Sequence, residues 1–224
     1  MSPQGASSPA RTSDWLVPAA LIALAFIPIA GGIVRLVSLG SGAVTPENVR
    51  FFASPIPAVL HIFSVAIYCV VGALQFSRGF RRQHMVWHRR AGRVLIGLGL
   101  VAALSGLWMA NFYAIVPPDN WLLHGFRLFF GSAMAASIVI GYLAVRQRKV
   151  AQHEAWMLRA YAIGQGAGSQ ALILMPLITI YGPLAPDPLA LAMGGAWVLN
   201  LAVAEWLIWR QRRPRVLRQP TTTA

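Results

Sequence analysis

Six long apolar stretches follow one another along this chain of 224 residues and constrain its fold more than any other feature. Each stretch has about 20 residues, the length that an α-helix needs to cross the hydrocarbon core of a bilayer. Because lipid offers no hydrogen bonds to the backbone, such a segment crosses as a helix. The predicted spans are Trp15–Leu36, Pro57–Ser77, Gly92–Tyr113, Trp121–Val145, Ala155–Ile178 and Leu189–Trp209.

The predicted fold class is an all-α integral membrane protein with six transmembrane helices and a core bundle of helices two to five. We expect residues 15–209 to form the transmembrane domain, 1–14 a disordered cytoplasmic N-terminus and 210–224 a basic cytoplasmic tail. Charged residues make up 11% of the chain, whereas soluble domains carry about 25%. The single cysteine, Cys69, lies inside a span, so we expect a small core residue and no disulfide.

The basic residues lie at one side of the predicted bundle. They flank the second and fourth connections and fill the tail: Arg78, Arg81, Arg82, Arg89, Arg90, Arg93, Arg146, Arg148, Lys149, Arg159, Arg210, Arg212, Arg213, Arg215 and Arg218. The other three connections contain PENVR, PPDN and YGPLAPDP, with one basic residue among them. The positive-inside rule therefore predicts a multi-pass protein of the cytoplasmic (inner) membrane with both termini in the cytoplasm. The net charge of +13 is then explained by topology and the lipid bilayer, with no nucleic-acid partner.

Four of the five histidines fall at matching depths on four consecutive spans. His61 and His124 lie one to two turns into spans two and four, near the predicted outer surface, whereas His88 and His153 lie where spans three and five begin, near the inner surface. An imidazole inside lipid needs a partner, which makes a matched set a candidate ligand set. Two axial imidazoles on facing helices are what six-coordinate haem b requires, so the pattern predicts one or two haems.

Charged residues within the spans also require partners. Arg127 lies one turn from His124 on the same helix face and needs an anion, for which a haem propionate, Asp119, a phospholipid headgroup or an anionic substrate would serve. Glu205 is the acidic residue inside the last span, and we expect it to pair with Arg159 or another inner base.

Other interpretations of the histidines remain open. His61 and His124 are equally explained as buried histidines hydrogen-bonded to nearby backbone, and His88 and His153 as solvated residues at the membrane edge. His84 and His88 are spaced i, i+4, so an early start of the third helix would place both on one face as a metal chelate, with Glu154 as a further ligand.

Three motifs resemble those of a bacterial family of multi-pass membrane proteins that carries a domain-of-unknown-function label. They are HMVWHRRAGR, HEAWMLRAY and AEWLIWR, and the step His88, Arg89, Gly92, Arg93 is the most specific part. The resemblance extends from about the first span to the last. It supports the topology and implies no activity.

More distantly, one histidine on each of four consecutive spans resembles the two-haem transmembrane cytochrome b superfamily, whose ascorbate-dependent and ferric-reductase members pair alternate helices. This resemblance implies that His61 pairs with His124 and His88 with His153. The chain departs from that pattern by placing its inner pair close to the membrane edge. No G-x-G-x-x-G follows a predicted strand, so the electron source would be a small molecule, a quinol or a redox partner protein.

Three functional hypotheses follow. The first is a haem b protein that passes electrons within or across the membrane, with His61, His124, His88 and His153 as iron ligands and Arg127 at the cofactor; as an enzyme it would be a membrane oxidoreductase component. The second is a non-redox small transporter or membrane scaffold that binds an anionic ligand or lipid, for which Pro28 and Pro176 suggest broken helices. The third is a metal site at the cytoplasmic face.

Overall fold

A computed structural model describes residues 13–212 of the chain. The predicted disordered N-terminus and basic tail fall almost wholly outside these residues. Where they overlap with them, the backbone is helical: the first helix begins at Ser13 and the last ends at Arg212.

The described residues are almost entirely helical and contain no strand. Within them, six helical spans are long and apolar enough to cross a membrane, which confirms the predicted fold class. The elements are α1 (Ser13–Ser41), α2 (Val49–Ala53), α3 (Pro55–Gln75), α4 (Arg78–Gln83), α5 (Met85–Phe112), α6 (Trp121–Arg146), α7 (Val150–Gly164), α8 (Gly166–Tyr181) and α9 (Pro186–Arg212).

The third and fifth spans begin earlier than predicted. Helix α5 starts at Met85 and not at Gly92, and α7 starts at Val150 and not at Ala155. The added residues include Arg89 and Arg90 in α5 and Ala151, Gln152 and Glu154 in α7, which are good helix formers, so both helices continue beyond their apolar part. As a consequence, His88 and His153 lie within the first turns of membrane-spanning helices.

The fifth span is interrupted at Gln165, between α7 and α8. The predicted interruptions at Pro28 and Pro176 are wrong, since these prolines lie inside α1 and α8. At the break, the Gln165 side-chain amide donates to the backbone carbonyl of Leu21 on α1 and to the hydroxyl of Tyr161, at 3.2 and 2.7 Å. The break is therefore held by polar contacts inside the bundle.

Helices α3, α5, α6 and α7 form the core bundle, as predicted. Each packs against the next, and α3 also contacts α7. Helix α1 covers α3 and α8, while α9 covers α6, α7 and α8. The buried core between these helices is built from aromatic, aliphatic and small side chains, among them Tyr68, Cys69, Met134, Ile138 and Tyr161.

Glycines at the centre of the bundle make room for two tyrosine rings. The ring of Tyr68 on α3 lies against Gly99 on α5 and Gly164 on α7, and the ring of Tyr161 on α7 lies against Gly72 on α3. The Tyr161 hydroxyl donates to the carbonyl of Cys69 at 2.6 Å. Close approach at small residues is a common basis of helix association in membranes, and here aromatic rings fill the space.

Two glycines on one helix test this packing. In Gly99→Ala, the new Cβ would lie 2.7 Å from the Tyr68 ring and 2.9 Å from Ile138, and overpacking of this kind costs about 1–3 kcal/mol. Gly97→Ala is the matched control, because nothing lies within 4 Å of its Cβ position. We expect the melting temperature in detergent to fall for Gly99→Ala and to hold or rise for Gly97→Ala. Equal shifts for the two variants would contradict the packing.

Candidate ligand-binding cavity

The two ends of the bundle carry different sets of polar residues. We call the end where α3 and α6 begin the His61 end, and the end where α5 and α7 begin the His88 end. At the His61 end, Arg50 on α2 contacts Asp119 in the loop before α6. Asn120, in the same loop, contacts Asp187 at the start of α9. At the His88 end, Arg81 donates to Glu154 at 2.8 Å.

A cavity of about 420 Å³ opens into the bundle at the His61 end. Its polar lining includes His61, His124, Arg127, Arg50 and Asp119. Deeper in, it is bounded mainly by apolar and small residues, including Ile29, Val65, Ala103, Phe130, Met134 and Trp197. The structure thus places both histidines of the predicted outer pair, and Arg127, around one space of ligand size.

His61 is held by the backbone of the neighbouring helix. Its Nδ1 lies 2.8 Å from the carbonyl oxygen of Ala102 on α5, and a carbonyl only accepts, so Nδ1 carries the proton and the neutral ring has its lone pair on Nε2. Gly106 on α5 allows this approach, because a Cβ there would lie 3.2 Å from the ring. The ring is therefore fixed in the orientation that second-shell carbonyls give to ligating histidines.

His124 is fixed less firmly. It lies in the first turn of α6. The N-terminus of this helix is capped by Asn120, whose side-chain oxygen accepts from the backbone N–H of Leu123 at 3.0 Å. The His124 ring makes an edge contact with Trp121, with the ring centroids 5.3 Å apart. The second histidine of the cavity is thus positioned by the helix start and an aromatic neighbour.

Arg127 has Asp119 as its anion. Its guanidinium donates two hydrogen bonds to the carboxylate, at 2.8 and 3.1 Å. Asp119 is one of the four anions that the sequence suggested as partners of Arg127. Arg50 approaches the same carboxylate, with its Nη1 3.5 Å from Oδ2 of Asp119. Two arginines therefore share one carboxylate at the mouth of the cavity.

His88 and His153 lie outside the lining of this cavity, but the structure brings them into the same region of the His88 end. His153 Nδ1 lies 2.9 Å from the carbonyl oxygen of Gly141 on α6, the same arrangement as His61 with Ala102. His88 is within range of electrostatic interaction with His153, Arg81 and Glu154, and its Nδ1 is buried without a hydrogen-bond partner. Both side chains are half-buried, and their interpretation as solvated edge residues stays a hypothesis.

The residues of the hypothetical metal chelate have other environments. His84 is exposed at the junction of α4 and α5, where its ring packs on Phe80 with the centroids 4.7 Å apart. Glu154 is bound to Arg81. Within residues 13–212, no group of three or more His, Cys, Asp or Glu side chains could hold a metal ion.

The predicted pairing of Glu205 with Arg159 is confirmed. Arg159 donates two hydrogen bonds to the Glu205 carboxylate, at 2.5 and 2.9 Å, and its guanidinium stacks on Trp156 at 4.5 Å. Cys69 is buried and unpaired, as expected. The Arg159–Glu205 pair lies outside the lining of the cavity, whereas Cys69 is part of that lining.

Sequence reasoning missed two parts of the cavity. One is Arg50, which lies on the short helix α2, outside the membrane-spanning helices. The other is the polar wall at the helix break, where Gln165 and Gln170 line the cavity and Asn200 accepts from Ser169 at 2.7 Å. Uncharged amides inside apolar spans are costly without partners, so the two glutamines were the signal that could have revealed this wall.

The fold and the cavity define a helical, multi-pass membrane protein with a ligand-sized space at one end. The chain belongs to the family described as Predicted membrane protein (DUF2306), whose model matches residues 58–208. This confirms the resemblance to an uncharacterised multi-pass family, while the likeness to the two-haem cytochromes stays a prediction. The comparisons found no match among curated proteins and none among solved structures.

Removing the shared carboxylate tests the charge balance at the cavity mouth. In Asp119→Asn, both arginines lose their anion while the side chain keeps its shape. Because Arg127 is 36% exposed, solvent screens much of the interaction, and we expect a loss of about 1 kcal/mol in stability. Asp187→Asn is the control, since its carboxylate accepts from the neutral amide of Asn120 at 2.6 Å. An Asp119 variant as stable in detergent as the Asp187 variant would contradict the ion-pair geometry.

Proposed function

We propose that this protein is a haem b protein that passes electrons within or across the membrane. The observation that carries the proposal is the position of His61 and His124 in the lining of one mainly apolar cavity inside the spans. Haem b needs an apolar site with two imidazole ligands, and its iron supplies one-electron redox chemistry when bound.

The hydrogen bond of His61 supports this assignment. With its Nδ1–H donated to the carbonyl of Ala102, the neutral ring offers Nε2 to a metal, and the carbonyl raises the basicity of that nitrogen. The same residue is among those that line the cavity.

A second haem at the His88 end is proposed from the ring nitrogens of its two histidines. His153 makes the same Nδ1 bond, to the carbonyl of Gly141, and His88 lies in its electrostatic neighbourhood with an unpartnered ring nitrogen. His88 and His153 are then the ligands at this end, as His61 and His124 are at the other. Two haems at opposite ends of the bundle would let electrons cross the bilayer.

The proposed setting is the cytoplasmic (inner) membrane, with both termini in the cytoplasm and the His88 end facing it. Arginines crowd that end, where Arg82, Arg89, Arg90 and Arg93 follow one another around the start of α5. A quinol or a redox partner protein would supply or accept the electrons. In that arrangement the protein acts as a membrane oxidoreductase component.

A small transporter is the second candidate. The observation that favours it is the interruption of the fifth span at Gln165, which lines the cavity. Discontinuous helices near the middle of the membrane form the binding sites of many secondary transporters. In this alternative, the cavity holds a transported anionic solute and the histidines serve as hydrogen-bonding groups.

The visible spectrum decides between the two candidates. We expect protein purified in mild detergent from haem-sufficient cells to show a Soret band and, after dithionite, a sharp α band of bis-histidine haem b. His61→Ala and His88→Ala should each remove about half of the haem, because each deletes one axial ligand of one site. His84→Ala is the matched control, since His84 is exposed and outside both pairs.

A colourless protein that also fails to take up added haemin would overturn the haem proposal and leave the transporter. Loss of haem from the His61 variant alone, with the His88 variant fully loaded, would reduce the proposal to a single haem at the His61 end.

Reporter fusions test the proposed orientation. We expect a fluorescent protein fused after residue 224 to fluoresce and an alkaline phosphatase fused at the same point to be inactive, because the positive-inside rule places the C-terminus in the cytoplasm. Fusions in the loop between α5 and α6 should behave in the opposite way. An active phosphatase at the C-terminus would reverse the orientation.

A further inference from the structure

The mouth of the cavity carries an excess of positive charge. Arg50, Asp119 and Arg127 all line it, and their formal charges leave one arginine without a full counter-ion. Asp119 forms a two-bond pair with Arg127 at 2.8 and 3.1 Å, whereas Arg50 is 3.5 Å from the same carboxylate. Arg50 is therefore the arginine whose charge is incompletely balanced.

The hydrogen bonds of Arg50 to described residues all come from one nitrogen. Its Nη1 donates to the carbonyl of Ala114 at 3.0 Å and reaches toward Asp119, while its Nε is buried without a partner. A buried N–H without an acceptor is costly, and more so on a charged group. A guanidinium has further N–H donors, in pairs that match the two oxygens of a carboxylate.

The position of Arg50 is fixed before any ligand binds. Its guanidinium lies over the ring of Phe51 at 5.1 Å, and that ring packs edge-on against Tyr113 with the centroids 5.3 Å apart. Tyr113 in turn donates its hydroxyl to the carbonyl of Ser54 at 2.5 Å. These contacts join the short helix α2 to the end of α5, so little ordering is needed when an anion binds.

We propose that the guanidinium of Arg50, which lines the cavity and has no full counter-ion, binds a carboxylate of the ligand that occupies the cavity. The ligand class is a carboxylic acid with an apolar body, because the space behind the arginine is lined mainly by apolar side chains. A haem propionate and a free organic acid both have this chemistry, and the haem source rests on the proposed function. The assignment moves the anion-binding role from Arg127, which has its own carboxylate, to Arg50.

Two pairs of probes, each a carboxylic acid and an uncharged derivative of it, test the proposal on the full-length protein in detergent. The first pair is iron protoporphyrin IX and its dimethyl ester, whose propionates carry no charge, titrated by absorbance. The second pair is benzoate and benzamide, followed by the shift in melting temperature. We expect the wild-type protein to bind the acid about tenfold more tightly than the ester, since a charge-assisted hydrogen bond to the carboxylate is lost.

The variants are Arg50→Gln and, as a control, Arg35→Gln. Arg35 also lies over the Phe51 ring, at 4.4 Å, but is not among the residues that line the cavity. The preference for acid over ester should disappear in Arg50→Gln and persist in Arg35→Gln. The comparison of acid and ester in the wild-type protein needs no variant, so it stands even if Arg50→Gln fails to fold.

The outcomes separate this inference from the proposed function. Equal binding of porphyrin acid and ester by the wild-type protein would overturn the role of Arg50 while leaving the haem proposal in place. If no porphyrin binds but benzoate raises the melting temperature through Arg50, the inference holds with a free organic acid as the source and the haem proposal falls. If neither porphyrin nor benzoate shows a carboxylate preference, the inference is wrong.

Discussion

The rest of the structure depends on the close approach of α3, α5 and α7 at the centre of the bundle. Glycines on these helices receive the rings of Tyr68 and Tyr161, and the Tyr161 hydroxyl bonds the Cys69 carbonyl across the α3–α7 contact. This filled layer separates the two ends, because the cavity reaches Cys69, Met134 and Gly164 beside the tyrosines and does not include His88 or His153. Ligand space at the His61 end is thus a consequence of tight packing at the centre.

The spans were predictable because the length of an apolar segment can be read from that segment alone, without knowledge of its tertiary contacts. The Arg159–Glu205 pair was predictable as well, since a carboxylate among bases at one membrane face has few other partners. The starts of α5 and α7 were not, because hydropathy marks where a helix leaves the lipid and not where its hydrogen bonds end. The break at Gln165 was missed although Gly164 and Gly166 flank it, because glycine is also common within continuous membrane helices. The contacts of Gln165 with Leu21 and Tyr161 could not be read from the sequence.

The cavity was predictable only in part. An imidazole within an apolar stretch identifies His61 and His124 as residues that need an explanation, but their sharing of one space depends on side-chain packing. The choice of Asp119 between Arg127 and Arg50 is likewise decided by geometry, and Arg50 itself lies outside every span. Within the spans, the polar amides of Gln165 and Gln170 indicated a polar site, but their effect is lost when hydropathy is averaged over a whole span.

The groups around the cavity make unequal demands on a ligand. His61 has given its Nδ1–H to the Ala102 carbonyl, so the neutral ring presents a lone pair, which calls for a metal or a hydrogen-bond donor. Arg50 shares the Asp119 carboxylate with Arg127 and lies farther from it, so its charge calls for an anion. A ligand that satisfies both must accept electron density at one point and carry negative charge at another. Haem meets both demands through its iron and its propionates, whereas a simple organic acid meets the second alone, and this difference makes haem the better candidate.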